Sequence, residues 1–317
     1  MLQTTPQFGP SPRVANFLLS LLQPATQQRY ATALNAFNEY VNERKLPFSS
    51  LTEEQQDYAL CDYVMDAMDA ETSLQYCTDL VAALQKQYGG RRRFKAASAT
   101  IDGWRQSRPV NMAEPMPEEV CYAMVSLIFM ANRRPAALTL LLCFVGVMRV
   151  GEVLNLRMSD VLAPSQHKYG YCLILVLRTA KRAAPDSSKI FIWHPRVVAF
   201  VLRYITWRGA APDERFVPVS YNTVSRWISR ASVALGFPAD TWRSHSMRRG
   251  AATTLSLRGL SIPQVMEAGR WLSERSARLY IHKGSVALLR LKSRLTDNQW
   301  AQILRLACLG EFLFDLP

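Results

Sequence analysis

Tyr171-Cys-Leu-Ile-Leu-Val-Leu177 and Lys189-Ile-Phe-Ile-Trp193 are the two runs that decide the fold class. Both are rich in β-branched and aromatic side chains, which suit a pleated surface, and the polar segment containing Pro185 separates them. They predict a β-hairpin set in a chain whose remaining periodicity is helical. After the hairpin, apolar spacings of three and four predict helices over about 195–207, 221–235, 246–258, 262–270 and 273–282. A last amphipathic segment, Thr296 to Phe314, follows, with Thr296 placed to cap it. Before the hairpin come helices at about 118–131 and 135–148.

Further toward the N-terminus the periodicity breaks at Ser107 to Pro117, where Pro109, Pro115 and Pro117 favour extended backbone. This predicts an N-terminal domain over 1–109, a linker over 110–117 and a second domain over 118–317. The first domain is expected to be helical throughout. In Gln27 to Lys45, Tyr30, Leu34, Phe37 and Val41 form one apolar stripe that Thr26 is placed to cap. Thr52-Glu-Glu-Gln55 is a capping-box pattern opening a helix with Tyr58, Cys61, Met65 and Met68 on one face. A third helix, about 71–88, ends at Gly89-Gly90. Directly after it stand Arg91, Arg92, Arg93 and Lys95.

Of the 317 residues 49% are hydrophobic, enough for a core in each domain, which excludes collagen-like, mucin-like and wholly disordered chains. The 38 Lys and Arg against 25 Asp and Glu leave a formal charge of +13. Thirty of those 38 are Arg, whose planar fork suits bidentate phosphate contacts, so a polyanion partner is expected. The six cysteines form no C-x-x-C or other tight metal spacing and read as reduced thiols of an intracellular protein. The longest apolar run, Ala136 to Met148, falls short of the roughly 20 residues a bilayer span needs. Arg13 followed by Val14 to Leu22 mimics a signal-peptide core, but Asn16 interrupts it, so neither secretion nor membrane insertion is expected.

Four signals in the second domain carry chemistry. They are Arg149 with Glu152 three residues on, His245-Ser-Met-Arg248, Gly269-Arg-Trp271, and Tyr280 within Ser276 to His282. Each alone has an ordinary reading: a helix-end ion pair, a chance i, i+3 pair, a core indole, a core phenol. Together they present an order, with Arg first, then a basic hairpin, then H-x-x-R, then Trp 23 residues after Arg248 and Tyr nine residues after Trp271.

That order resembles the catalytic domain of the tyrosine recombinases, the phage-integrase family. The resemblance is motif-specific over about 140–282 and holds in outline from about residue 25. It implies a mainly α fold with a small β-sheet, in which a helical SAM-like core-binding domain precedes a mixed α/β catalytic domain. By the same resemblance the catalytic residues are Arg149, Lys181, His245, Arg248, Trp271 and Tyr280, with Tyr280 the nucleophile and Glu152 supporting Arg149. One departure shows. Many members carry a glycine two residues before the first arginine, whereas here Val147 holds that place and Gly146 lies one further back. Lys181 is assigned from its place in the hairpin connection, where Lys189 and Lys168 are rivals.

The chemistry accounts for these residue types. Negative charge grows on the non-bridging oxygens of a phosphodiester as a nucleophile adds, and two guanidiniums and an indole N–H stabilise it. Deprotonating a free tyrosine at pH 7 costs about 4 kcal/mol, which a basic pocket lowers. His245 is suited to exchange protons with the phenol or to hydrogen-bond the phosphate. The resemblance further implies a site-specific recombinase or integrase that cuts double-stranded DNA through a 3′-phosphotyrosyl intermediate with no metal, nucleotide or other cofactor. Arg91, Arg92, Arg93, Lys95 and Arg249 are read as DNA-backbone contacts. The C-terminal helix is expected to dock on a neighbouring protomer of a homotetramer assembled on DNA, in a bacterial nucleoid or a eukaryotic nucleus. Two alternatives stand beside this: type IB topoisomerase-like strand relaxation, and a recombinase-derived DNA-binding protein that does not cleave.

Overall fold

Pro24 rather than Thr26 sets the start of the first helix, α1 (Pro24–Glu43), and the flanking Gln23 makes no side-chain cap. Proline fits the first helical position because its fixed φ is already helical and its missing N–H would have had no partner. The capping box at Thr52 forms as expected. The Gln55 amide donates to Thr52 Oγ1 at 3.3 Å and the Thr52 amide donates to Gln55 Oε1 at 3.0 Å, opening α2 (Glu53–Asp69). α3 (Leu74–Tyr88) and α4 (Lys95–Ser107) complete this bundle around Phe37, Leu60, Val64, Leu80, Ala97 and Trp104. The sequence had not singled out α4. Its N-terminus is capped from a distance by Asp57, whose carboxylate accepts from the Ala96 and Ala97 amides at 2.9 Å each.

The computed structural model describes residues 20–70, 72–88, 93–107, 114–178, 189–271 and 273–313, with Arg13 and Phe17. The chain divides into two compact units, Met1–Asn111 and Met112–Pro317. No helix among the described residues is long and apolar enough to cross a membrane. Met116, read from sequence as part of the linker, is fully buried in the core of the second unit. Its amide donates to Ser246 O at 3.0 Å.

That core is built on α5 (Glu118–Met130) and α6 (Arg134–Val145). Every residue from Ala136 to Phe144 is buried, so α6 is covered on all sides. The short helix α7 (Val150–Leu154) leads into the sheet. The expected hairpin is present as β2 (Leu173–Val176) and β3 (Lys189–Ile192), paired antiparallel with Leu175 opposite Ile190. A two-residue strand, β1 (Val161–Leu162), adds to β2 and makes the sheet three-stranded, an element too short to show a period in sequence. Leu173, Leu175, Ile190 and Ile192 alternate inward to the core.

The remaining helices are α8 (Pro195–Arg208), α9 (Tyr221–Ala234), α10 (Ser246–Leu257), α11 (Ile262–Gly269), α12 (Glu274–Arg294) and α13 (Asp297–Leu313). α12 runs twelve residues past the predicted end at 282. Gly284, within this extension, serves close packing, since a β-carbon there would lie 2.1 Å from Thr253 Oγ1 on α10. α13 is the helix expected to dock on a neighbouring protomer. It packs on its own unit: Ile303 is fully buried, and Ser126 Oγ donates to Leu306 O at 2.8 Å.

Candidate active site

α6 ends at Val145, and the chain turns through Gly146, Val147 and Met148 before Arg149 flanks α7. Val147 takes a φ of +47°. A β-branched side chain in the left-handed region is strained, at a cost on the order of 1–3 kcal/mol, and this is the position where the sequence departs from glycine. Glu152, one turn into α7, accepts from the Arg149 amide at 2.8 Å and from Arg149 Nη1 at 2.6 Å. The Arg149 side chain stays half exposed while that of Glu152 is only 13% exposed.

Arg248 lies on α10, which packs against α5, α6, α11 and α12. It is 2% exposed. Its Nη1 donates to Val147 O at 2.5 Å, its Nη2 donates to Gly269 O, and its Cζ stands 4.5 Å from the centre of the Trp271 ring. One guanidinium thus ties the turn before Arg149 to the turn that carries Trp271. Gly269 is required in that second turn because a β-carbon would meet the indole at 1.8 Å. The next residue, Arg270, has a φ of +54° and ends α11 in the left-handed conformation.

Arg270 is a member of the cluster that sequence reasoning missed. Its Nη2 donates to Glu152 Oε2 at 2.8 Å and to Val147 O at 3.2 Å, and its side chain is 9% exposed. An arginine after a helix-ending glycine reads as surface charge, and only the αL backbone, invisible to periodicity, turns it inward. Burial pushes the Glu152 carboxyl upward, but Arg270, then the Arg149 amide and guanidinium, outweigh that and hold it below the usual range. Burial lowers the Arg270 guanidinium from its ordinary value, against the pull of Glu152. His245 is lowered by partial desolvation and by Arg248, Arg149 and Arg249. The site therefore joins several cations, an imidazole held toward its neutral form and an indole, an arrangement that can stabilise an oxyanion and accept a proton.

Arg149, Glu152, His245, Arg248 and Trp271 are thus brought together, as the sequence expected. Tyr280 lies on α12 next to Ile281, which packs with Ala252 and Val265; its own side chain is outside the described residues. Lys181 also lies outside them. The strand leading to it is anchored at Arg178, whose Nε donates to the buried Asp160 and whose Nη2 donates to Ser159 Oγ at 3.0 Å. The rivals Lys189 and Lys168 are exposed.

Two of the residues read as DNA contacts are largely covered in this structure. Arg249 is 5% exposed, on a helix that packs against four others. Arg93 is engaged internally: it bonds Gln56 at 2.8 Å and Glu53 at 3.0 Å and stacks 4.7 Å from the Tyr88 ring centre. Lys95 is exposed, and Arg91 and Arg92 lie outside the described residues.

Comparison with solved structures shows the same fold in recombinases of low identity. XerH site-specific recombinase in a post-cleavage complex with its palindromic difH substrate is 19% identical, with 84% of this chain aligned to 79% of that one at a TM-score of 0.57. A lambda integrase dimer bound to a COC' core site is 17% identical, with 85% aligned to 93% at 0.57. The integrase of the Tn1549 transposon, in complex with transposon right-end DNA, is 12% identical, with 88% aligned to 98% at 0.58. No curated protein matches the sequence. The sequence model of the phage integrase family matches residues 123–285, just over half of the chain. Because that match contains both strained turns and every motif from Arg149 to Tyr280, the chain belongs to the phage integrase family, the tyrosine recombinases.

Proposed function

We propose that the chain is a site-specific DNA recombinase that cuts and rejoins double-stranded DNA through a 3′-phosphotyrosyl link to Tyr280. The observation that carries this reading is that Arg248 on α10 ties the turn before Arg149 to the turn of Trp271, with His245 within electrostatic reach of Arg248 and Arg149, four groups suited to one phosphate. DNA as the substrate is supported by the DNA complexes of XerH, lambda integrase and the Tn1549 integrase.

Tyr280 attacks the scissile phosphorus as its phenol proton passes to His245, whose lowered pKa keeps the imidazole ready to accept it. Arg149, Arg248 and the Trp271 N–H hold the charge that grows on the non-bridging oxygens. The P–O5′ bond breaks with a proton from Lys181, giving a 5′-hydroxyl and a 3′-phosphotyrosyl link. A 5′-hydroxyl from a second duplex reverses the step, and because the bond energy is kept in the link, no nucleotide or metal is required.

The recombinase works as a DNA-associated homotetramer. The lambda integrase dimer on its core site supports assembly of protomers on DNA. The test is incubation with nicked duplexes bearing the terminal sequences that flank the gene. The wild type should form a denaturation-resistant protein–DNA adduct and joined products, and Tyr280→Phe should form none. Absence of an adduct from wild type, or an undiminished one from Tyr280→Phe, would overturn the reading. Relaxation of a supercoiled plasmid without joined products would favour the topoisomerase alternative.

A further inference from the structure

We infer that Arg270 is a positioning residue that neutralises Glu152 and so leaves the charge of Arg149 available to the scissile phosphate. The inference rests on the recombinase reading for what Arg149 does, and on the geometry of four groups for the rest.

Glu152 is one carboxylate with two cationic partners. Its Oε1 accepts from Arg149 Nη1 at 2.6 Å and its Oε2 from Arg270 Nη2 at 2.8 Å. The two arginines differ in surroundings. The Arg149 side chain is 50% exposed and open to a ligand, whereas that of Arg270 is 9% exposed and held inside. A buried carboxylate without Arg270 would be compensated by Arg149 alone. That cation would then be a closed ion pair, and a phosphate would have to compete with Glu152 for it. With Arg270 in place the pair becomes a triad with net positive charge, and Glu152 can orient Arg149 without cancelling it.

A second set of contacts gives Arg270 a part in shape as well as charge. Its Nη1 donates to Gly146 O at 3.4 Å and its Nη2 to Val147 O at 3.2 Å, the same carbonyl that receives Arg248 Nη1. Val147 is the strained residue two before Arg149, so two guanidiniums hold its carbonyl in place. Arg270 adopts its own left-handed backbone to reach them. A glycine would take that φ at no cost, so a non-glycine residue at +54° indicates that the side chain is what the position requires.

The test uses Arg270→Gly, which suits the backbone and should fold, with Arg270→Lys and the double variant Arg270→Gly/Glu152→Gln. On the nicked duplex, Arg270→Gly should slow single-turnover adduct formation by about 10- to 100-fold, as loss of an outer-shell partner does. DNA affinity should change less than about twofold, because Arg270 is buried from the DNA. Arg270→Lys should recover part of the rate, and the double variant should be faster than Arg270→Gly, since removing the carboxylate charge removes the need for its counter-ion. A second readout needs no DNA. The His245 titration followed by NMR should move up in Arg270→Gly, as Arg149 closes on Glu152 and repels the imidazolium less, and should return in the double variant. An unchanged adduct rate in Arg270→Gly, or a double variant no faster than it, overturns the inference. If wild type forms no adduct, the recombinase reading fails while the His245 titration still decides Arg270: a shift that Glu152→Gln reverses upholds it, and no shift defeats it.

Discussion

The two units each contain an arginine-rich turn, and the turns handle charge in opposite ways. In the N-terminal unit, Arg93 pairs with Glu53 and lays its guanidinium on Tyr88. That cation has a carboxylate of its own. In the catalytic unit, Glu152 pairs with both Arg149 and Arg270, so two cations share one carboxylate. Positive charge is left over. Local arginine density is similar in the two turns. What separates a structural brace from a phosphate site is the supply of carboxylates around the guanidiniums, and that supply is set by tertiary packing.

The sharpest way to break this comparison is to remove one arginine from each turn. Arg149→Gln should slow adduct formation by about 10²- to 10³-fold, the loss seen when one oxyanion donor is deleted, with DNA affinity largely kept. Arg93→Ala should leave cleavage intact and lower the stability of the N-terminal unit by about 1–2 kcal/mol, since it frees a buried Gln56 acceptor and removes the stack on Tyr88. Lys95→Ala, which removes an exposed cation, should instead reduce the salt slope of DNA binding by about one. Thermal melts and filter binding across a salt series separate the three. Should Arg93→Ala weaken DNA binding as steeply as Lys95→Ala, the division between closed and open charge would fail.

A second test uses pH. His245 has a pKa below its ordinary 6.5, by partial desolvation and the arginines around it. If the neutral imidazole takes the Tyr280 proton, the adduct rate should be level near neutral pH and fall about tenfold per unit once pH drops below that lowered value. The stability sign follows the same shift. Between the lowered value and 6.5 the unfolded chain binds more protons than the folded one, so the contribution of His245 is complete above about pH 6.5 and declines on acidification. His245→Gln should lower the rate and remove the acid limb. An acid limb that survives the substitution would assign the proton to another group.

Much of this site was legible before any coordinates. Arg149, His245, Arg248 and Trp271 were singled out because their order resembles that of the family, and the capping box at Thr52 and the cap at Thr296, which accepts from the Gln299 amide at 3.2 Å, were readable because such contacts are local. The failures have one physical origin. Arg93 and Arg249 were read as surface cations because sequence shows charge and not cover; Arg249 sits on a helix that packs against four others. The helix predicted to end at about 282 runs on through Gly284, whose role, room for Thr253, lies thirty-one residues away in the chain. Arg270 was invisible for the same reason, its partners Glu152 and Val147 being more than a hundred residues distant. Contacts within one turn are written in the sequence, whereas those that close or open a charge are not.

The smallest expected effect probes the strained turn itself. Val147 is 3% exposed at a φ of +47°, so Val147→Gly sets two terms against each other. Glycine relieves backbone strain of about 1–3 kcal/mol. It also forfeits roughly 1.5–2 kcal/mol of side-chain burial and about 0.5–1 kcal/mol of unfolded-state entropy. The terms nearly cancel, and the melting temperature of the second unit should move by no more than about 4 °C. The turn would nonetheless lose its fixed conformation, and with it the placement of the carbonyl that Arg248 and Arg270 share. A drop in adduct rate of less than about tenfold at nearly constant stability is therefore expected, since a small misplacement acts on rate before it acts on folding. A large fall in melting temperature would show instead that the isopropyl group is held for packing, and that the left-handed turn is a consequence of the core rather than a support for Arg149.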